Sequence, residues 1–453
     1  MEKTADFTEG RILSRLLRFA LPVLAALFLQ AMFGAVDLMV VGQFGAPTDV
    51  SAVSTGSQIM QTVTSLITGL AMGITILVGQ KIGEKRPEQA GDVIGSGICL
   101  FGVLAAVLTV LMILGAGFLA GLMHAPDEAF SQTVDYIRIC SAGAVFIIAY
   151  NVLGSIFRGI GDSRMPLFTV AAACVFNIGG DLLLVAGFHM GAAGAALATV
   201  TGQIIALILG FVLNTTRNHE IHLAFKGFRP EKEIIGHIYA VGIPSIIMAS
   251  IGSVMTFGMN KILIAFTSTA TAVFGVYFKL QSFVFMPVFG LNNGTVPIIA
   301  YNCGAGRPDR IVKTLKLSIA YAVSIMIAGL LLFNLAAENL LMIFNASDSM
   351  LEIGVPALKI ISLSFILAGF GIACSSLFQA MGHGMLSLWV SVLRQLVILL
   401  PAAFLFAKTL GLSYVWFAFP LAEVFSAGIS AVFLRHVYKK EILPLKQSFS
   451  REK

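Results

Sequence analysis

Three carboxyl groups lie deep inside apolar stretches of this chain, where a charge is costly. Asp37 lies in GAVDLMVVG, Asp181 in VFNIGGDLLL, and Glu423 in a stretch that follows Pro420. An insertion scale gives about 2.5–3.5 kcal/mol for placing an aspartate at the centre of a membrane helix. Acids at such positions indicate chemistry with a cation, either a proton or a small hard metal ion, that offsets their charge.

Two of these acids lie at a similar depth beside other oxygen-bearing side chains. Asn177 precedes Asp181 by four residues, so both side chains share one helix face. At about 1.5 Å per residue, Asp37, Asp181 and Thr199 lie roughly 8–12 Å below the outer surface. Two neighbouring carboxylates resist ionising together and titrate as a coupled pair. We predict an ion-coupling site for Na⁺ or H⁺ at Asp37, Asn177, Asp181 and Thr199. The alternative is that hydroxyls or a base satisfy each acid for folding alone.

The composition indicates an integral membrane protein that is almost entirely helical. Of its 453 residues, 57% are hydrophobic and 11% are charged, whereas soluble domains carry roughly a quarter charged residues. A helix needs about 20 apolar residues to cross the hydrocarbon core. Twelve stretches meet this length, near 18–41, 53–79, 93–120, 133–156, 166–188, 191–213, 237–265, 272–300, 313–336, 352–377, 386–407 and 413–436.

The basic residues of the connections predict the orientation. One alternate set of connections carries 23 Lys and Arg residues, and the other carries only Lys408. The positive-inside rule then places both termini in the cytoplasm, with the chain in the cell inner (cytoplasmic) membrane. The same bias explains the net charge of +6, so the charge gives no support to a nucleic-acid partner.

An internal repeat predicts two parallel six-helix lobes. FALPVLAA (19–26) matches VGIPSIIM (241–248), and SIFRGIGD (155–162) matches SLFQAMGH (376–383). A G-x-x-R-P motif recurs at 83–87 and 304–308, so all three offsets are 221 or 222. We predict an N-terminal lobe (1–220), a cytoplasmic linker (221–236) and a C-terminal lobe (237–453). Parallel repeats related by an axis along the membrane normal are typical of transporters with alternating access, unless the duplication is purely structural.

The second lobe contains cations within its predicted spans, together with aromatic and methionine side chains. Lys279, in VYFKLQSF, is expected either to pair with Glu423 or to line a cavity, with packing or snorkelling as the alternative. Aromatic and Met side chains can form an adaptable surface for ligands. The predicted substrate cavity contains Lys279, Glu423, Phe257, Phe283 and Met286, with ordinary packing as the alternative for most of them.

No catalytic or cofactor motif accompanies these features. The five cysteines are scattered singly, the seven histidines show no metal-ligand spacing, and Walker, HExxH and GxSxG motifs are absent from the sequence. The sequence therefore predicts a secondary active transporter rather than an enzyme, with no cofactor apart from the coupling ion. An ion gradient would then supply the energy.

The chain resembles the multidrug and toxic compound extrusion (MATE) family. The resemblance rests on P…VDxxxVG in span 1, FRGIGD after span 4, NxxxD in span 5, GAAGAALAT at the start of span 6 and PIIAYNxGAGR after span 8. It implies export of amphipathic, often cationic drugs in exchange for Na⁺ or H⁺, and hence antibiotic resistance. We expect a functional monomer in the lipid bilayer.

The resemblance also implies roles for individual residues. One prokaryotic branch of the family uses a span-1 Asp, a span-5 Asn and Asp, and a span-6 Thr, which correspond here to Asp37, Asn177, Asp181 and Thr199. Pro22 matches the proline at which the first helix is proposed to bend. Other branches place coupling carboxylates in spans 7 and 10, but FGMNKILIAF (257–266) and FGIACSSLF (370–378) contain none. Coupling is therefore expected in the first lobe.

Two alternatives remain open from the sequence. A flippase for lipid-linked saccharides, from the same wider superfamily, would favour a cationic central cavity and often extra spans. A non-transporting membrane receptor or membrane enzyme would lack ion-coupled efflux. The paired first-lobe acids and the twelve spans argue against the flippase.

Overall fold

A computed structural model describes residues 7–217 and 230–451 of the chain. The interval 218–229, which holds most of the predicted linker, lies outside the described residues. Over the described ranges the regular secondary structure is helical, with no strand, as the composition predicted. Apolar stretches of this length satisfy their backbone polar groups internally only as helices when lipid surrounds them.

In the described ranges, the long helices form twelve spans when each bent helix pair is taken as one span. Ten are single helices: α1 Ile12–Phe44, α2 Pro47–Gly83, α3 Pro87–Leu122, α5 Arg164–Gly187, α6 Gly191–Arg217, α7 Lys232–Ile264, α8 Ser268–Gly304, α9 Pro308–Leu335, α11 Gly384–Thr409 and α12 Leu412–Gln447. Two more are bent helix pairs: α4 is Asp127–Ala142 with Ala144–Gly159, and α10 is Asp348–Ser362 with Phe365–Ala380. A short helix, Ala337–Met342, connects α9 to α10. The predicted twelve-span architecture is confirmed.

The bends and turns repeat along the chain, as the sequence motifs do. The two halves of α4 meet at 55° around Gly143, and those of α10 meet at 46° around residues 363–364. The turn after each of these helices uses a glycine in the left-handed region, Gly161 with φ of 86° and Gly382 with φ of 85°. Position 364 follows Gly143 by 221 residues, and Gly382 follows Gly161 by the same number. The repeat therefore extends from sequence to backbone geometry.

Two compact units divide the described chain. One contains Leu21–Gly242, and the other contains Phe7–Ala20 together with Ile243–Lys453. The first turns of α1 therefore belong to the second unit, where the Arg310 guanidinium donates hydrogen bonds of 2.8–3.1 Å to three carbonyls of the 7–10 segment. Pro22 lies just after this division of α1. The helix is continuous through it, and a bend there stays a prediction.

The start of α6 depends on one glycine and one aspartate. Gly191 has φ of +55°, and a Cβ added there would lie 2.5 Å from Oδ1 of Asp49. The same carboxylate accepts hydrogen bonds from the backbone N–H groups of Ala46 and Ala192, both at 3.0 Å. Asp49 therefore fixes the first turn of α6 against the connection between α1 and α2.

We expect Gly191→Ala to destabilise the protein by about 1–3 kcal/mol, since it adds left-handed strain to a clash with the Asp49 carboxylate. The melting temperature of the purified protein in detergent measures this loss. Gly117→Ala in α3 is the control, because an added Cβ there meets nothing within 4 Å. Equal melting temperatures for the two variants would contradict this account.

Candidate cation site

Small residues bring α5 and α6 into close contact. A Cβ added at Gly180 would lie 2.9 Å from Cβ of Ala198, and one added at Gly202 would lie 2.8 Å from the carbonyl oxygen of Ala173. The GAAGAALAT segment is therefore a packing surface, as small residues usually are between membrane helices. This close approach places the polar residues of the two helices opposite one another.

The structure brings together all four residues of the predicted ion site. Asn177 Nδ2 donates to Thr199 Oγ1 at 3.5 Å, and Thr199 Oγ1 donates to Asp37 Oδ2 at 3.3 Å. The Asp181 carboxyl lies beside the Asp37 carboxyl and interacts with it. All four side chains are buried. Asp181 is the last residue before a π-helical turn, Leu182–Gly187, a feature that often occurs at functional sites.

Within the part of the chain that the structure describes, four oxygen atoms of this cluster have no hydrogen-bond donor. They are Asp37 Oδ1, Asn177 Oδ1 and both carboxyl oxygens of Asp181. Two carboxylates can only accept hydrogen bonds, so their mutual approach satisfies neither of them unless one carries a proton. Buried acceptors without donors, and buried like charges, are both unfavourable. The oxygen atoms of the cluster therefore fit a shared proton or a bound Na⁺. Either cation would be held by the two carboxylates with Asn177 and Thr199.

Span 4 contributes a residue that the sequence did not predict. Tyr136, 2% exposed, interacts through its hydroxyl with the Thr199 side chain and also contacts the thiol of Cys140. A Cβ added at Gly56 would lie 2.3 Å from the Tyr136 ring, so α2 holds the ring in place. The only sequence signal is a tyrosine four residues before a cysteine, which is indistinguishable from core packing.

The second unit pairs its acid differently from one of the expected arrangements. Arg394 Nη1 donates to Glu423 Oε1 at 3.1 Å, whereas Lys279 Nζ lies 5.9 Å from the centroid of the Phe344 ring. The prediction that Lys279 pairs with Glu423 is therefore wrong. Arg394 reaches Glu423 because α11 and α12 are adjacent in the chain and pack along their length.

The proposed substrate-cavity residues differ in exposure. Phe257 and Phe283 are 65% and 69% exposed, and the Phe257 ring lies 5.6 Å from Lys261 Nζ. Met286 is partly buried. Exposure of apolar side chains on a membrane-spanning helix fits contact with lipid as well as with a ligand, so the cavity assignment stays a prediction.

A helical protein with twelve membrane spans, a repeated half and a buried two-acid cluster has the architecture of a secondary membrane transporter. The family model MatE matches residues 22–183 and again residues 244–405. This chain belongs to the MatE family. The double match, at an offset of 222, also confirms the internal repeat.

Curated relatives and solved structures match nearly the whole chain. The multidrug export protein MepA of Staphylococcus saprophyticus subsp. saprophyticus is 25% identical over 428 residues, which is 94% of each chain. MepA of Staphylococcus aureus (strain MRSA252) is 24% identical, over 93% of each chain. A crystal structure of MATE in the bent conformation superposes with a TM-score of 0.91 at 24% identity, covering 98% of this chain and 99% of that one. A MOP superfamily transporter from Pyrococcus furiosus Vc1 (DSM3638) gives 0.88 at 24% identity, covering 98% and 100%. These structures show the same fold.

Proposed function

We propose that this protein is a cation-coupled antiporter that exports amphipathic, often cationic compounds across the cytoplasmic membrane by alternating access. The observation that carries the proposal is a set of buried oxygens at Asp37, Asn177 and Asp181 that accept from no donor among the described residues. Membership of the MatE family and the multidrug export relatives support drug efflux as the activity. The coupling ion is Na⁺ or H⁺, and both termini lie in the cytoplasm.

The coupling ion compensates the negative charge of the buried Asp37 and Asp181 carboxylates. With the site open to the outside, a cation enters between Asp37 and Asp181 and binds their oxygens, supported by Asn177 and Thr199. The cluster is then neutral or carries less negative charge, so a cationic substrate is held less tightly and leaves. Inward movement of each charge contributes about 2.3 kcal/mol per 100 mV of membrane potential.

α1 can couple ion binding at the cluster to a conformational change, because it contains both an acid of the site and a proline. It carries Asp37 in its outer half and Pro22 in its inner half, and a proline removes one backbone hydrogen bond from a helix interior. We infer that filling of the cluster biases α1 to bend near Pro22. The return step to the inward-facing state then delivers the ion to the cytoplasm.

Efflux from proteoliposomes tests the proposal. The purified protein is reconstituted with a fluorescent organic cation inside the vesicles, and sodium and proton gradients are imposed separately. At least one gradient should accelerate efflux severalfold over the gradient-free rate. Efflux that ignores both gradients, or no transport at all under either, would overturn the antiporter assignment and favour the flippase or receptor alternatives.

A further inference from the structure

A partly buried ion pair joins α11 to α12 in the second unit. Arg394 Nη1 and Glu423 Oε1 are 3.1 Å apart, and their side chains are 28% and 12% exposed. Arg394 lies ten residues after the start of α11 at Gly384, and Glu423 lies eleven residues after the start of α12 at Leu412. Each is therefore about 15–17 Å from a helix end. That distance is about half the thickness of a hydrocarbon core, which is about 30 Å.

The second half of the repeat has no counterpart of the two-acid cluster. At an offset of 221 or 222, each of the four site positions corresponds to a residue without an ionisable group. In order along the chain, these counterparts are Gly258 or Met259, Ile398 or Leu399, Ala402 or Ala403, and Pro420 or Leu421. A free cation therefore finds no equivalent set of oxygen ligands in the second unit at those positions.

The ion pair occupies a contact that the first half makes with small residues. At the same offsets, Arg394 corresponds to Ala172 or Ala173, and Glu423 corresponds to Thr201 or Gly202. In the first unit this is the closest approach of α5 to α6 described above, where a Cβ on Gly202 would lie 2.8 Å from the Ala173 carbonyl. The level is about one helical turn from the cation site. Each half thus places ionisable side chains at nearly the same position on an equivalent helix pair.

The first-unit cluster and the Arg394–Glu423 pair differ in net charge. The first-unit cluster has two carboxyl groups, and no ion pair to either is found among the described residues. Glu423 is instead paired with one guanidinium, that of Arg394, while its Oε2 atom is buried and accepts from no donor in the described ranges. Among the described residues, Arg394 and Tyr277 are the charged or titratable groups that interact with this carboxyl. Tyr277 is fully buried and packs on Phe419, with ring centroids 6.0 Å apart.

We propose that Glu423 is a cation site of the second lobe that the protein fills with its own Arg394 side chain. While Arg394 is present the site takes no ion from solution, so only the first lobe exchanges an ion. When Arg394 is removed, the carboxylate binds a monovalent cation of the class that its oxygens fit: a proton, Na⁺ or a guanidinium group. The contrast between the lobes rests on the proposed function, whereas the filling of Glu423 by Arg394 does not.

Thermal unfolding of the purified full-length protein tests this without any transport assay. The background is Asp37→Asn with Asp181→Asn, which removes both acids of the first-lobe cluster. In that background the melting temperature should not respond to replacing choline chloride with NaCl, or to lowering the pH from 8 to 6. Adding Arg394→Gln should create a response, with a rise of about 2–4 °C on adding Na⁺ or on lowering the pH. The sign follows because either cation compensates a buried carboxylate that has lost its partner.

Two matched variants show whether the new response belongs to Glu423. Adding Glu423→Gln to the triple variant should abolish the response, and Arg394→Lys in place of Arg394→Gln should never show it. A response that survives Glu423→Gln, or no response to either cation after Arg394→Gln, would overturn the proposal. A wild-type melting temperature that does not respond to Na⁺ or to pH would instead count against the first-lobe site. Failure of the proposed function is therefore distinguishable from failure of the Glu423 proposal.

A second measurement covers the case in which Arg394→Gln does not fold. Arg394→Ala is purified with or without millimolar methylguanidinium, a small cation with the deleted head group. Methylguanidinium should raise the melting temperature of Arg394→Ala and should not affect Arg394→Ala/Glu423→Gln. Equal shifts in these two variants would contradict a cation site at Glu423.

Discussion

Neutralising either acid of the first-lobe cluster should abolish ion-coupled efflux. In Asp37→Asn and Asp181→Asn the side chain keeps its shape and loses its charge, so packing is retained while the electrostatic reason to bind a cation disappears. We expect gradient-driven efflux to fall on the order of 100-fold, the scale seen when groups that tune a bound ion are lost. The measurement is efflux of a fluorescent cation from proteoliposomes under the gradient that drives the wild type.

Stability should change in the opposite direction from activity. Without Na⁺ and at high pH, the wild type carries two buried carboxyl groups, and three of their four oxygens accept from no donor among the described residues. Removing one charge relieves their repulsion, so the melting temperature of Asp181→Asn should rise by about 2–4 °C under those conditions. It should also respond less than the wild type to Na⁺ and to lowered pH.

Asp135→Asn is the matched control for both measurements. This aspartate lies in the same lobe, on the helix that carries Tyr136, but its side chain is exposed. Its neutralisation should leave efflux and melting temperature unchanged. Wild-type coupled rates in Asp37→Asn and Asp181→Asn would exclude the cluster as the coupling site, even if both variants were more stable.

A single methyl group added between α5 and α6 should disrupt the site without touching a charge. In Gly202→Ala the new Cβ would lie 2.8 Å from the backbone oxygen of Ala173 and 3.3 Å from Asn177. Backbone cannot move aside as a flexible side chain can, so the helices must separate where Asn177 donates to Thr199. We expect a loss of about 1–3 kcal/mol from overpacking, and a loss of ion affinity of about 10–100-fold. Titration of the melting temperature with Na⁺ and with pH measures both quantities.

Gly179→Ala is the control for this packing argument. Gly179 lies on α5 close to the site, but an added Cβ there meets nothing within 4 Å. Alanine in a helix interior is favoured over glycine by roughly 0.5–1 kcal/mol, so this variant should be as stable as the wild type or slightly more stable. If Gly202→Ala titrates like Gly179→Ala, close packing of α5 on α6 is not what forms the cation site.

The sequence by itself determined the membrane architecture. Whether a stretch spans the bilayer depends on its length and apolar content, which are local properties, so all twelve spans and the repeat were readable. The break in α4 at Gly143 was not predicted. Gly143 also lies close to Val200, where an added Cβ would lie 2.4 Å from the side chain. Nothing within α4 itself specifies that neighbour.

Counting residues also predicted that the four oxygen-bearing side chains of the first lobe lie at a similar depth. Depth is only one coordinate, however, and a shared site also requires the helices to be rotated toward each other. The tertiary structure decided that rotation: it turned Tyr136 toward Thr199 and paired Glu423 with Arg394 rather than Lys279. The physical reason is that a helix presents a new residue every 100° or so, and only packing against neighbouring helices selects which face turns inward.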